Sequence, residues 1–373
     1  MDVVIKVPMF KEYQIADADA HVFEPLDMWE QYLEPAYKSF APSADMKIKG
    51  EPIYYKASSE VVSQWTKQVM QSHPMAKLHG FTNEVHLATM KQMGIDISFV
   101  YPTVGLAILS VDAMAPKLAG AFTRAYNNWL LDFCSYDPQK LKAVGLVNRH
   151  SPEEMVSELR RIANFGWKAV CMRPNPVKGR LLSDPAYEPF WSECEELGIA
   201  VGIHEGTHSR LPSTGADRFD TRFAMRACSH PMEQMMAMLA LIEGGVLERH
   251  PKLKVGFLES GCGWLLYWLW RMDEEYECHY WEVKDKVKMK PSEYVCRQCF
   301  IVFEPSENYI DKIIDYIGSD NLLFGSDYPH VHWRVDGEGA EIFDIKRVLL
   351  KQLPQETVQK LLWNNPARFY GLE

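Results

Sequence analysis

Lys168-Ala169-Val170-Cys171-Met172-Arg173, a helical pattern over residues 185–197, and then Ile199-Ala200-Val201-Gly202-Ile203-His204 make one strand, helix, strand unit. Both runs are short and apolar, and a crossover of this length between them makes them parallel neighbours. Working outward, the unit recurs. Similar runs lie at 15–21, 96–102, 141–147, 254–259, 298–303 and 322–327, which brings the count to eight. Helix candidates at 85–93, 113–136, 152–165, 231–247, 264–280 and 306–316 separate most of them. Eight such repeats predict a single α/β domain over residues 1–373, a parallel (β/α)8 TIM barrel.

Two stretches exceed the bare repeat, residues 23–84 after the first strand and about 205–230 after the fifth. Both follow strands, so both are expected over the C-terminal mouth, where such barrels keep their sites. From about 344 to 373 the chain reads as a helical brace. Composition narrows the partners. Forty Lys plus Arg against fifty Asp plus Glu give a formal charge of −10, with no basic run to hold phosphates, so nucleic acid is excluded as a partner. The longest apolar stretch, 261–270, is about half of the ~20 residues a membrane span needs. Met1-Asp2-Val3-Val4-Ile5-Lys6 lacks the basic and apolar segments of a leader, which gives a cytoplasmic expectation. Eight scattered cysteines are too sparse for a disulfide scaffold, and Cys296-Arg297-Gln298-Cys299 has no second pair to complete a zinc site.

The strands matter for how they end. The first finishes Asp17-Ala18-Asp19-Ala20-His21-Val22-Phe23-Glu24, the fifth in His204, the sixth in Glu259 and the eighth in Asp327. Strand alternation sets Asp17, Asp19 and His21 on one side of the pleat. Four strands then aim acids or imidazoles at one mouth, and a buried cluster of this kind is costly unless a cation neutralises it. A divalent metal is the expected cofactor. Mixed His and carboxylate donors suit Zn, Mn or Fe without separating them.

Asp-x-Asp-x-His-x-x-Glu-Pro (Asp17 to Pro25), Gly202-Ile203-His204-Glu205-Gly206, Phe257-Leu258-Glu259-Ser260-Gly261-Cys262-Gly263-Trp264 and Leu323-Phe324-Gly325-Ser326-Asp327-Tyr328-Pro329-His330 occur in that order. In these motifs the chain resembles the amidohydrolase superfamily, in the branch that includes aminocarboxymuconate semialdehyde and resorcylate decarboxylases. The resemblance implies a distorted barrel with a metal held by Asp19, His21, His204 and Asp327. The chain departs from that pattern at three places. Asp19-Ala20-His21 stands where many members have His-x-His, Glu259 takes the place of a sixth-strand His, and the fourth strand ends Cys171-Met172-Arg173 without the lysine that bridges two metals. Ligands for a second ion would then come from His86, Glu24, His208 and Glu259.

Three reactions follow as expectations. The first is hydrolysis of a small amide, ester or lactone by metal-activated water, with Asp327 as base and Glu259 placing the water or protonating the leaving group. The second is oxygen-dependent hydroxylation at a dinuclear iron or manganese–iron site that includes His86. The third is non-oxidative decarboxylation, with Arg173 as a carboxylate clamp. His230 is read as a substrate or supporting contact. Outside enzymology, the chain could serve as the inactive partner of a homologous enzyme. The aromatic helix that starts at Trp264 is core or subunit interface, and the expected assembly is a homodimer or a hetero-oligomer with a homologous chain.

Overall fold

The structure, a computed structural model, describes residues 13–330 except 207 and 305–306, together with residues 353–372. Eight parallel strands form one sheet: β1 (Ala16–His21), β4 (Ile97–Tyr101), β5 (Leu141–Leu146), β6 (Ala169–Met172), β7 (Ala200–His204), β8 (Val255–Leu258), β9 (Cys299–Phe303) and β10 (Leu322–Phe324). Each pairs in parallel with the next, for instance Ile203 with Phe257 and His204 with Leu258, and β1 shifts register against β4 between Asp17 and Ala20. The short strands β2 (Lys47–Ile48) and β3 (Glu51–Pro52) pair antiparallel outside it. The sheet is wound into the predicted (β/α)8 barrel.

Between β10 and β1 the barrel closes beyond the last ladder rung. The backbone N–H of Asp327 donates to Asp19 O at 2.7 Å, and that of His21 donates to Tyr328 O at 2.6 Å. Asp17 fastens the same seam, its carboxylate accepting from the Ser326 amide at 2.8 Å and the Ser326 hydroxyl at 2.6 Å. Gly325 permits the approach, because a Cβ there would stand 2.7 Å from that of Asp19. Beneath the barrel the C-terminal helix Asn365–Tyr370 plugs the core. The Tyr370 ring stacks on Phe99 at 3.4 Å and its hydroxyl donates to Ala18 O at 2.7 Å. The earlier part of the expected brace, 344–352, lies outside the described residues.

Helix starts follow capping chemistry. Thr82 opens the helix Asn83–Met93 by accepting from the Val85 amide, and Gly94, left-handed at φ 72°, closes it. Two predicted starts differ. The helix expected from 231 begins at Arg222, capped by Thr221, and carries Pro231 in its interior, so that proline did not mark a first turn. The second mouth stretch is accordingly shorter than 205–230. The helix expected from 306 runs Ile310–Ile317 because Glu307 is engaged elsewhere, accepting from the Cys262 and Gly263 amides at the start of the helix Trp264–Val283. Among the described residues no helix is long and apolar enough to cross a membrane.

Candidate functional site

The C-terminal ends of β1, β7, β8 and β10 converge as the sequence predicts. His21 and His204 face each other with Nε2 atoms 3.0 Å apart. Their Nδ1 atoms are spent on carbonyls, His21 on Pro102 O at 3.1 Å and His204 on Glu205 O at 2.7 Å. Those carbonyls fix Nδ1 as the protonated nitrogen and leave both Nε2 lone pairs pointing at one spot, the tautomer that a metal requires. Asp19 Oδ1 lies 3.4 and 3.5 Å from the two Nε2 atoms, and neither of its oxygens has a hydrogen bond although the residue is buried. Glu259 Oε2 stands 3.3 Å from His204 Nε2 and Asp327 Oδ1 stands 3.6 Å from His21 Nε2.

Two donor groups result, Asp19 with His21 and His204, and His21 with Glu259, Asp327 and His330. Glu259 and Asp327 adopt positive φ, 50° and 52°, conformations that cost energy and re-aim each carboxylate from a strand end into the mouth. Burial lowers the affinity of His21 for a proton, but Asp19, Asp327 and Glu259 outweigh it and raise its pKa to about 9. The cluster therefore attracts positive charge. Facing lone pairs, an unbonded buried carboxylate and this potential together fit a divalent cation.

Other expected ligands lie elsewhere. Glu24 is occupied, its oxygens accepting from the Thr103, Val104 and Gly105 amides at 2.8–3.3 Å, where it caps the helix Val104–Ile108. His86 is buried edge-on to Phe133 and Tyr328, and desolvation and the nearby His21 push it down to about 3. His208 bonds through Nδ1 to Tyr55 O at 2.8 Å and lies on the pocket wall. None of the three joins a donor group among the described residues, and neither does any cysteine. His230 stands behind Glu259, with Nε2 accepting from Arg226 Nη1 at 3.0 Å. Arg173 is held by Glu205 at 3.2 Å and by the Leu106 and Gly206 carbonyls, so its fork is committed within the protein.

The donors open onto a pocket at the barrel mouth. Both mouth stretches build it, Tyr54, Val61, Val62 and Trp65 from the first, His208, Arg222 and Arg226 from the second. The two are joined where the Tyr55 amide donates to His208 O at 2.7 Å. Sequence reasoning missed four polar members. His330 Nδ1 lies 2.8 Å from Asp327 Oδ1 and its Nε2 lies 3.0 Å from Thr103 Oγ1. Arg226 pairs with Glu259 at 2.6 Å. Glu205 is raised to about 8 by burial, despite Arg173. Arg222 lies over the Trp65 ring at 5.5 Å. His330 and Glu205 were within the quoted motifs, whereas nothing local marked the two arginines.

The amidohydrolase family pattern matches residues 16–372. The chain is 26% identical over 260 residues to a 2-amino-3-carboxymuconate-6-semialdehyde decarboxylase of Dictyostelium discoideum, covering 69% of this chain and 68% of that one. It is 27% identical over 249 residues to a gamma-resorcylate decarboxylase of Rhizobium radiobacter, covering 60% and 72%. Its fold is similar to that of a 5-carboxyvanillate decarboxylase from Novosphingobium aromaticivorans solved with bound manganese, with a TM-score of 0.74 at 19% identity over 97% of this chain and 98% of that one. With the family pattern running from the first barrel strand to the C-terminal plug, this chain belongs to the amidohydrolase family of metal-dependent barrel enzymes.

Proposed function

We propose that the chain is a metal-dependent, non-oxidative decarboxylase of a small planar carboxylic acid. The observation that carries this reading is the make-up of the pocket. The donors face a chamber with apolar walls, Trp65, Pro102, Leu106 and Ala107, and with the guanidinium of Arg222, which lies over the Trp65 ring and has no carboxylate partner among the described residues. Such a chamber suits a planar anion, while a neutral amide or ester, the first expectation, has no use for that positive charge. Similarity to two proteins named as decarboxylases supports the same choice.

Asp19, His21, His204 and Asp327 would hold the metal, which a relative's structure suggests is manganese. When bound, it supplies Lewis-acid charge that orients the substrate and stabilises the electron pair left on carbon. The rest falls to the protein. Pro102 O and Glu205 O keep His21 and His204 in the receiving tautomer. The Asp327–His330 pair holds one proton at the edge of the pocket. The carbon–carbon bond breaks, carbon dioxide departs, and that proton is placed on the carbon the carboxylate has left, so the acid R–COO⁻ and H⁺ become R–H and CO2. Arg226 holds Glu259 in an ion pair at 2.6 Å, and the apolar wall keeps water off the reacting carbon.

The test is incubation of manganese-loaded protein with hydroxybenzoates and related unsaturated acids in deuterated water. One equivalent of carbon dioxide per turnover, deuterium at the vacated carbon and no dependence on dioxygen are expected. Inert acids alongside hydrolysed amides, esters or lactones would overturn the reading, as would oxygen-dependent turnover.

A further inference from the structure

Of the three arginines in the pocket, two are spent inside the protein, Arg173 on Glu205 at 3.2 Å and Arg226 on Glu259 at 2.6 Å. Arg222 differs. Among the described residues it has no hydrogen bond and no ion pair, and its guanidinium is positioned by a π face, Trp65 at 5.5 Å, a contact that leaves its N–H donors unused. It is also the first residue of the 22-residue helix Arg222–Glu243, so the positive end of that helix adds to its charge.

A second group on this wall is equally unspent. His208 is 5% exposed, and its Nδ1 is committed to Tyr55 O at 2.8 Å. Its Nδ1 therefore carries the proton and Nε2 is an acceptor, yet Nε2 has no hydrogen-bond partner. Burying an acceptor without a donor is unfavourable, and a ligand that donates to it would recover that cost. The charge on Arg222 helps keep the ring neutral and so keeps it an acceptor.

We propose that Arg222 and His208 form a second anchoring point in the pocket, where Arg222 binds an anionic group of the substrate and His208 accepts from a neighbouring hydroxyl or amine. The substrate class is then a planar diacid, one carboxylate delivered to the metal donors and the second anion to Arg222, with a hydroxyl or amine beside it. This rests on the decarboxylase reading. A monoacid would leave Arg222 and His208 desolvated and unpaired. Trp65, which orients Arg222, also offers its ring to the flat body of the same molecule.

Calorimetric titration of the full-length, manganese-loaded protein with benzoate, isophthalate and terephthalate tests the proposal. At least one diacid should bind about tenfold or more tightly than benzoate, the usual worth of a charge-assisted contact. Arg222→Gln should abolish the preference, so that the diacid and benzoate bind the variant alike, and Arg222→Lys should keep part of it. His208→Phe should abolish the extra affinity that a hydroxyl on the preferred diacid confers on the wild-type protein. Circular dichroism and metal content equal to wild type establish that the variants are folded. Equal binding of diacids and benzoate, or a preference that survives Arg222→Gln, would overturn the anchoring point alone. Binding of none of the three acids would overturn the decarboxylase reading and the anchoring point with it.

Discussion

The two ends of the barrel each gather like charges, and they relieve the repulsion differently. At the N-terminal end Lys168 precedes β6, Lys254 precedes β8, and Arg368 rides on the helix Asn365–Tyr370. Burial and the two neighbouring cations lower Lys254 to about 8, and solvent reaches the group, so the cluster can shed a proton or hydrate. At the C-terminal end Asp19, Glu259 and Asp327 are 1–6% exposed. Solvent reaches them little, Arg226 pairs with Glu259 at 2.6 Å, and the fold turns two imidazole lone pairs toward the same point. Repulsion at an exposed rim is absorbed by titration, whereas repulsion among buried carboxylates at the mouth favours a cation.

Removing a donor is the strongest way to break this contrast. His204→Ala and Asp327→Ala should each take bound metal from about one ion per chain toward none and lower activity by roughly 10³-fold or more, with far-ultraviolet dichroism unchanged. Metal analysis after dialysis reads the outcome. Full retention in both variants would mean that the mouth balances its charge without an ion. His330→Asn separates proton handling from charge balance. It should leave the metal in place while kcat falls about 10²- to 10⁴-fold, and a loss of metal instead would make His330 a ligand.

The same contrast explains what could be read from the sequence. The barrel was legible because strands buried on both sides are short, almost wholly apolar runs, as in β7 and β9. Asp19, His21, His204 and Asp327 were legible because a polar residue at the end of such a run must face the mouth or the rim. Glu24 carries the same letter of the code as a ligand, yet three backbone amides from another loop claim it, and that loop lies about eighty positions away. Arg222 was hidden for a related reason. Its role depends on Trp65, which a separate mouth stretch delivers, and Pro231 drew the helix start nine residues too late.

His86 tests whether a buried histidine beside the mouth belongs to the cation site or to the core. Its folded pKa of about 3 lies below the unfolded value of 6.5, so the stability it contributes is present above pH 6.5 and is lost as pH falls from there toward 3. One unit below 6.5 the cost is about 1.4 kcal/mol. His86→Leu should therefore be more stable than wild type by about that amount at pH 5.5, should lose most of the advantage by pH 8, and should keep the same metal-to-chain ratio. Denaturant midpoints at the two pH values give the first result and metal analysis the second. A fall in that ratio would move His86 into the metal site.

Lys254 carries the opposite end of the comparison and the smallest effect. Its folded pKa of about 8 lies below the unfolded 10.5, so its contribution is favourable only above 10.5 and is lost as pH falls through 8. At pH 7 the charged amine is a net cost, only partly offset by its bond to Arg368 O at 3.2 Å. Partial exposure screens that cost to on the order of 1 kcal/mol. Lys254→Met should therefore raise the denaturant midpoint at pH 7, and the gain should shrink as pH climbs past 8 toward 10. A loss of stability at pH 7 would show that the carbonyl bond outweighs the repulsion, and the N-terminal rim would then be held by its cations as the mouth is held by its donors.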